Sequence, residues 1–238
     1  MIRYLCNKYF LMKILLVAAT QAETSPLLRL LVHSSGTTDN PQKFFYKGID
    51  IDLLITGVGM TATAFFLGKF LSYAKYDIAL NMGVAGSFDK KLRIGDVVNV
   101  IQERFPEMGA EDGESFLSLY ELNLAGVDET PFSEGVLKNK SVFYNKVISG
   151  LPPVYGVTVN TIHGNEDSIR SVIKRCKADV ETMEGAAFLY ACLSENIPCI
   201  EIRAISNYIE RRNRDSWNIP LAIENLSKKV IQILDSIS

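Results

Sequence analysis

The run Ile14-Leu15-Leu16-Val17-Ala18-Ala19 constrains the fold of this chain more than any other stretch. An apolar run without polar alternation predicts a strand covered on both faces, as in a mainly parallel sheet with helices on either side. Further strands are expected over residues 49–56, 77–82, 94–98, 154–159 and 201–207, with helical segments between many of them. That alternation places the chain in the α/β class, as a single-domain three-layer α/β/α sandwich. Several strands are not separated by helices, which predicts a mixed central sheet. With 238 residues and 47% hydrophobic content, one large domain is well supplied with core. Met12-Lys13-Ile14 reads as the natural start of that domain, spanning residues 12–238, with residues 1–11 as an N-terminal extension.

Composition removes several classes of function. A net charge of -2 gives no bias toward nucleic acid or an anionic membrane surface. No apolar run approaches the roughly 20 residues of a membrane span. The residues before the short run after Lys13, with Tyr9 and Phe10, make a poor signal-peptide leader, and Thr24-Ser25-Pro26 then starts a helix, so a cytoplasmic location is expected. Cys6, Cys176, Cys192 and Cys199 have no metal-like spacing and are expected as reduced thiols. His33 and His163 are the only histidines, too few for a histidine-based metal site. No metal and no cofactor is expected.

Candidate chemistry gathers at strand ends. Thr20-Gln21-Ala22-Glu23 follows the first strand as a loop, with Thr24 or Ser25 then capping a helix that has Pro26 in its first turn and an apolar face of Leu27, Leu28, Leu30 and Leu31. Gly57-Val58-Gly59-Met60-Thr61-Ala62 has the spacing of a dinucleotide-binding turn, but no acid follows at Asn81-Met82 to hold a ribose hydroxyl. A close approach to a smaller ligand fits better. Gly83-Val84-Ala85-Gly86 reads as a second glycine turn, so that both turns present backbone N–H groups to a ligand oxygen. Residues 103–114 read as an acidic loop, and residues 168–177 as a basic surface helix. Val180-Glu181-Thr182-Met183-Glu184-Gly185-Ala186-Ala187 sets two glutamates before an almost uncharged helix. A buried carboxylate needs a partner, and for Glu184 the plain alternative is a carboxylate resting on the free N–H groups of the helix start.

These segments, in this order, resemble the nucleoside phosphorylase superfamily, in particular its hydrolase branch of purine nucleosidases. The first strand with Glu23, the two glycine turns, the Val180–Ala187 stretch (similar to V-E-M-E-G/A-A, with Thr182 extra) and Arg203-Ala204-Ile205-Ser206-Asn207 carry the likeness. The last matches R-A-I-S-D except at Asn207. Thr182, Asn207 and the tail Ile209-Glu210-Arg211-Arg212-Asn213-Arg214, continuing to Trp217, together resemble the branch that cleaves futalosine to hypoxanthine and dehypoxanthine futalosine in menaquinone biosynthesis.

The resemblance implies Glu23 as general base for the attacking water, and Glu184 as acceptor for the 2′- and 3′-hydroxyls beside the developing oxocarbenium ion. Met183 packs on the sugar, Glu181 helps to position the ribose end, and Ala85 and Gly86 face the substrate. Arg214 is a candidate anchor for a carboxylate on the 5′ arm. Asn207 suits a 6-oxopurine, donating to O6 and accepting from a protonated N7; an Asp there suits adenine. The implied partner is a small-molecule nucleoside, and association into a homo-oligomer is expected. Rival readings are a methylthioadenosine/adenosylhomocysteine-type nucleosidase, opposed by Asn207, a purine nucleoside phosphorylase, opposed by the absence of arginine in residues 20–23, 57–59 and 83–86, and a non-catalytic nucleoside-binding protein.

Overall fold

The computed structural model describes residues 12–34, 40–139 and 145–237; the expected extension over 1–11 lies outside them. The chain runs β1 (Met12–Ala18), α1 (Gln21–Leu28), β2 (Val32–His33), β3 (Gln42–Tyr46), β4 (Ile49–Ile55), α2 (Met60–Leu71), β5 (Ile78–Ser87) and β6 (Val97–Arg104). It continues through β7 (Gly109–Asp112), β8 (Ser115–Ser118), β9 (Leu137–Lys138), α3 (Lys146–Ser149), β10 (Pro153–Thr158) and α4 (Glu166–Arg175). The last elements are β11 (Val180–Thr182), α5 (Gly185–Ser194), β12 (Cys199–Tyr208), a 3-10 turn (Arg214–Ser216) and α6 (Ile219–Asp235).

A mixed sheet forms the middle layer, in the order β11-β10-β6-β12-β5-β1-β4-β3-β2, with β9 on β6. The strand β1 is buried on both sides, as its composition requires. Ile14, Leu16 and Ala18 pack in one core with Leu27 of α1 and Leu226, Val230 and Ile233 of α6. Leu15 and Val17 pack in the other core with Leu67 and Leu71 of α2 and Phe188 and Leu189 of α5. The alternation of a strand's side chains thus serves two helical layers at once. The antiparallel pairs β3–β4 and β6–β12 make the sheet mixed, as expected.

Two sequence expectations change. Gly83-Val84-Ala85-Gly86 is not a turn: β5 runs through it, because β12 pairs with β5 from Cys199↔Ala79 to Tyr208↔Ser87, with one register shift between Ile205 and Asn207. The glycines make room instead. A Cβ on Gly83 would stand 2.9 Å from both Arg203 Nη1 and Glu23 Oε1, and one on Gly86 2.9 Å from Ile209. The residues read as an acidic loop begin with Glu103, which is buried on β6, and then form the β7–β8 hairpin.

The first helix also starts earlier than its apolar spacing suggested. Thr20, not Thr24 or Ser25, sits at the N-cap, and Glu23 falls at the third helical position of a capping box. Thr24 and Ser25 instead turn their hydroxyls to the carbonyls of Gln21 and Ala22, at 3.0 and 3.2 Å. Those bonds occupy helix carbonyls around Pro26, which has no N–H to give. Leu30 lies beyond the helix and is exposed.

Candidate active site

A cavity of about 280 Å³ opens at the ends of β1, β5, β11 and β12. Glu23, Ala85, Gly86, Glu181, Met183, Glu184 and Asn207, drawn from the distant motifs, all line it. The parallel strands β1, β5 and β12 end together there, and β11 meets the end of β5 antiparallel, which gathers these residues. Thr20, Val58, Ser206, Trp217 and Ile219 join them.

The backbone N–H groups expected to face a ligand serve the acids instead. The N–H of Gly59 donates to Glu184 Oε1 at 2.8 Å. Gly59 has φ of 99°, a conformation that glycine adopts without steric cost and that aims its N–H across the cavity. The N–H of Val84 donates to Glu23 Oε1 at 3.2 Å. Glu23 Oε2 accepts from both the N–H and the hydroxyl of Thr20, each at 3.0 Å. Each carboxylate is therefore fixed in place by the chain segment opposite it.

Glu184 could have been a helix-capping acid, and the geometry shows that it is not. The first N–H groups of α5 are taken by threonines: Gly185 N–H by Thr182 Oγ1 at 3.1 Å and Ala186 N–H by Thr158 Oγ1 at 2.7 Å. Glu184, at the N-cap position, makes no side-chain cap and turns to Gly59. Burial raises its pKa above the usual carboxylate range, while Arg203 and the Gly59 N–H oppose that shift. Thr182, extra to the family pattern, thus frees Glu184 for a ligand.

Asn207 is presented as a preset amide. Ser206 Oγ donates to its Oδ1 at 2.8 Å, and its Nδ2 donates to Tyr208 O at 3.1 Å. One amide proton and one lone pair remain for a ligand. Asn207 and Glu181 both pair in register with Gly86, from β12 and β11 respectively, so they flank a residue without a side chain.

Two expected roles meet a different geometry. The Glu181 side chain is fully buried, accepting from His163 N at 3.0 Å and paired with His163 Nδ1. It therefore holds the loop carrying Ile162 against the cavity that Glu181 also lines; its bond raises the His163 pKa. Nothing in the sequence links His163 to an acid on another strand. Arg214 stands exposed on the 3-10 turn and does not line the cavity; from that segment Trp217 does, its ring lying 5.0 Å from the Arg212 guanidinium. Among the described residues no helix is long and apolar enough to cross a membrane, and no cluster has the makings of a metal site.

The chain belongs to the phosphorylase superfamily, whose model matches residues 13–237. It is 27% identical over 191 residues to a futalosine hydrolase of Thermus thermophilus, covering 79% of this chain and 83% of that protein. It is 29% identical over 243 residues to a 5'-methylthioadenosine/S-adenosylhomocysteine nucleosidase of Glaesserella parasuis, covering 94% and 99%. Its fold matches the native structure of futalosine hydrolase of Helicobacter pylori with a TM-score of 0.78 at 19% identity, over 94% of this chain and 98% of that one.

Proposed function

We propose that this chain hydrolyses the N-glycosidic bond of futalosine, releasing hypoxanthine and dehypoxanthine futalosine. The observation that carries the 6-oxopurine preference is Asn207, whose amide is fixed at the cavity wall with one donor and one acceptor unspent. Its NH₂ meets the O6 acceptor, and its carbonyl meets N7–H of the departing base. Adenine would set its N6 donor against the same NH₂, and one unmatched buried hydrogen bond costs about 1–3 kcal/mol. Relatives named as futalosine hydrolases support the fuller substrate assignment.

The three demands of glycosidic hydrolysis fall to separate residues. Glu23 accepts a proton from water attacking the anomeric carbon. Glu184 accepts the 2′- and 3′-hydroxyl hydrogen bonds, and its charge lies beside the oxocarbenium-like centre, where it favours the transition state. Met183 packs against the sugar. An amide has no acidic proton to give, so N7 takes its proton from water. Water is favoured over phosphate as nucleophile because Glu23 and Glu184 would both repel an anion there.

Coverage of nearly the whole chain by the methylthioadenosine/adenosylhomocysteine nucleosidase supports a second reading, cleavage of a 6-aminopurine nucleoside. Purified protein given futalosine, inosine and methylthioadenosine in parallel, with and without phosphate, separates these. Hypoxanthine release from futalosine, unchanged by phosphate, is expected to be fastest, and faster adenine release from methylthioadenosine would overturn the assignment. Asn207→Asp is expected to shift the 6-oxo to 6-amino preference by about 10-fold or more, the size of one buried mismatch. An unchanged ratio would remove Asn207 as the discriminating residue. The protein is also proposed to self-associate, supported by the exposed Val58 at the cavity and the exposed Phe65 on α2, and a monomer by light scattering would refute this.

A further inference from the structure

Beneath the cavity lies a group of buried charges that no step of the proposed reaction uses. Glu103 on β6 and Glu201 on β12 are fully buried, and Arg203 beside them is 1% exposed. Two glycines make their space. A Cβ on Gly185 would collide with a carboxyl oxygen of both Glu103 and Glu201, and a Cβ on Gly156 with one of Glu103. The two carboxyls therefore share one spot under the first residue of α5.

From that spot the contacts lead in two directions. Toward α5, Glu103 accepts from the Thr158 hydroxyl at 3.0 Å and lies 3.5 Å from that of Thr182. These are the same hydroxyls that take the N–H groups of Gly185 and Ala186, directly after Glu184. Toward β1, Glu201 Oε1 lies 3.1 Å from Arg203 Nη2. Arg203 also donates to Asn81 Oδ1, and its Nη1 shares with Glu23 Oε1 the space over Gly83. One connected set of side chains thus joins the supports of both cavity acids.

Two carboxylates this close in a dry site cannot both be ionised, since each raises the cost of charging the other. We propose that Glu103 and Glu201 form an acid pair sharing one proton, which positions Arg203 against Glu23 and braces the helix start that carries Glu184. Glu103 is the neutral partner and donates to Glu201, whose negative charge balances Arg203. Burial and the neighbouring Glu201 hold the Glu103 pKa well above the carboxylate range, while burial, against the pull of Arg203, lifts Glu201 to about 7. The groups facing the pair are Arg203 on its own strand, Asn81 on β5, Thr158 and Thr182 on β10 and β11, and Glu184 at the start of α5. The inference rests on the roles given above to Glu23 and Glu184; the pair itself is testable apart from them.

The test compares Glu103→Gln with Glu201→Gln in the full chain. A glutamine at 103 still donates to Glu201 and accepts from Thr158, so kcat and its pH profile should stay within about 3-fold of the parent. A glutamine at 201 leaves Arg203 without its anion. Here kcat should fall about 10- to 100-fold with KM changed by only a few-fold, the expected cost of misplaced reacting groups. An acid limb near pH 7, reporting Glu201, should be present in the parent and absent from Glu201→Gln.

Stability supplies a reading that does not depend on activity. A carboxyl with a raised folded pKa binds its proton more tightly folded than unfolded, so its contribution is present at low pH and lost as pH rises through the folded value. Tm should therefore fall between about pH 5 and 8 in the parent, and less so in Glu201→Gln. Infrared spectra at about pH 8.5, where Glu201 is ionised, should also show a buried protonated carboxyl in the parent that is missing from Glu103→Gln. Parent-like kcat and pH profile in Glu201→Gln would overturn the positioning role. A missing carboxyl band in the parent, or equal losses in the two variants, would overturn the one-proton pair. If no nucleoside is cleaved at all, the proposed function fails, while the infrared and Tm readings still decide the pair.

Discussion

Glu23→Gln is expected to lower kcat by about 10²- to 10⁴-fold, the usual contribution of a positioned general base. The loss should fall on the chemical step, with KM changed by only about 2- to 3-fold, because Glu23 is assigned to the attacking water and not to the nucleoside. Its carboxylate is suited to the task by three donors, Thr20 N–H, Thr20 Oγ1–H and Val84 N–H, which fix both oxygens at the cavity wall. An amide cannot take the proton from water. It must also place its NH₂ against one of those N–H groups, at a cost of about 1–3 kcal/mol, so a lower Tm is expected too. Single-turnover release of hypoxanthine separates the effects: a variant that binds futalosine normally but keeps kcat within about 3-fold would remove Glu23 from the chemistry.

Glu184→Gln is expected to cost about 10²- to 10³-fold in kcat/KM, as for removal of one charge-stabilising group from a preorganised site. Its distinguishing feature lies in the substrate. Removing the 2′-hydroxyl should slow the parent enzyme and have little further effect on the variant, because both changes delete the same contact. Additive losses would show that Glu184 does not bind that hydroxyl. The ionised acid is the useful form, and burial raises its pKa. Activity should therefore fall on acidification at a pH above the usual glutamate range, and that component should vanish in the variant.

Much of this arrangement was legible in the residues themselves. Ile14-Leu15-Leu16-Val17 has no polar face, so only a strand between two helical layers satisfies it, and the two cores either side of β1 follow. Glu184 and Asn207 were recognisable because their neighbours match a family pattern closely, and both line the cavity. The start of α1 was misplaced because Pro26 draws attention away from Thr20 and Glu23, whose bond to each other sets the N-cap. Glycine at 83 and 86 signals a special backbone demand, but one letter does not say whether that demand is a turn or a bulky neighbour. Here it is the neighbour, Arg203 in one case and Ile209 in the other.

The amino-acid sequence alone determined the α/β class, the buried first strand and the types of group available for chemistry, because apolar periodicity and residue type act locally along the chain. Tertiary structure alone decided which partner each charge takes. Glu181 took His163 as its partner at the cavity wall, Glu103 passed from an expected acidic loop to a buried strand beside Glu201, and Arg214 stayed outside the cavity that Trp217 lines. Strand register sets those pairings by bringing together residues far apart in the chain, and the high cost of an unpaired buried charge holds them there.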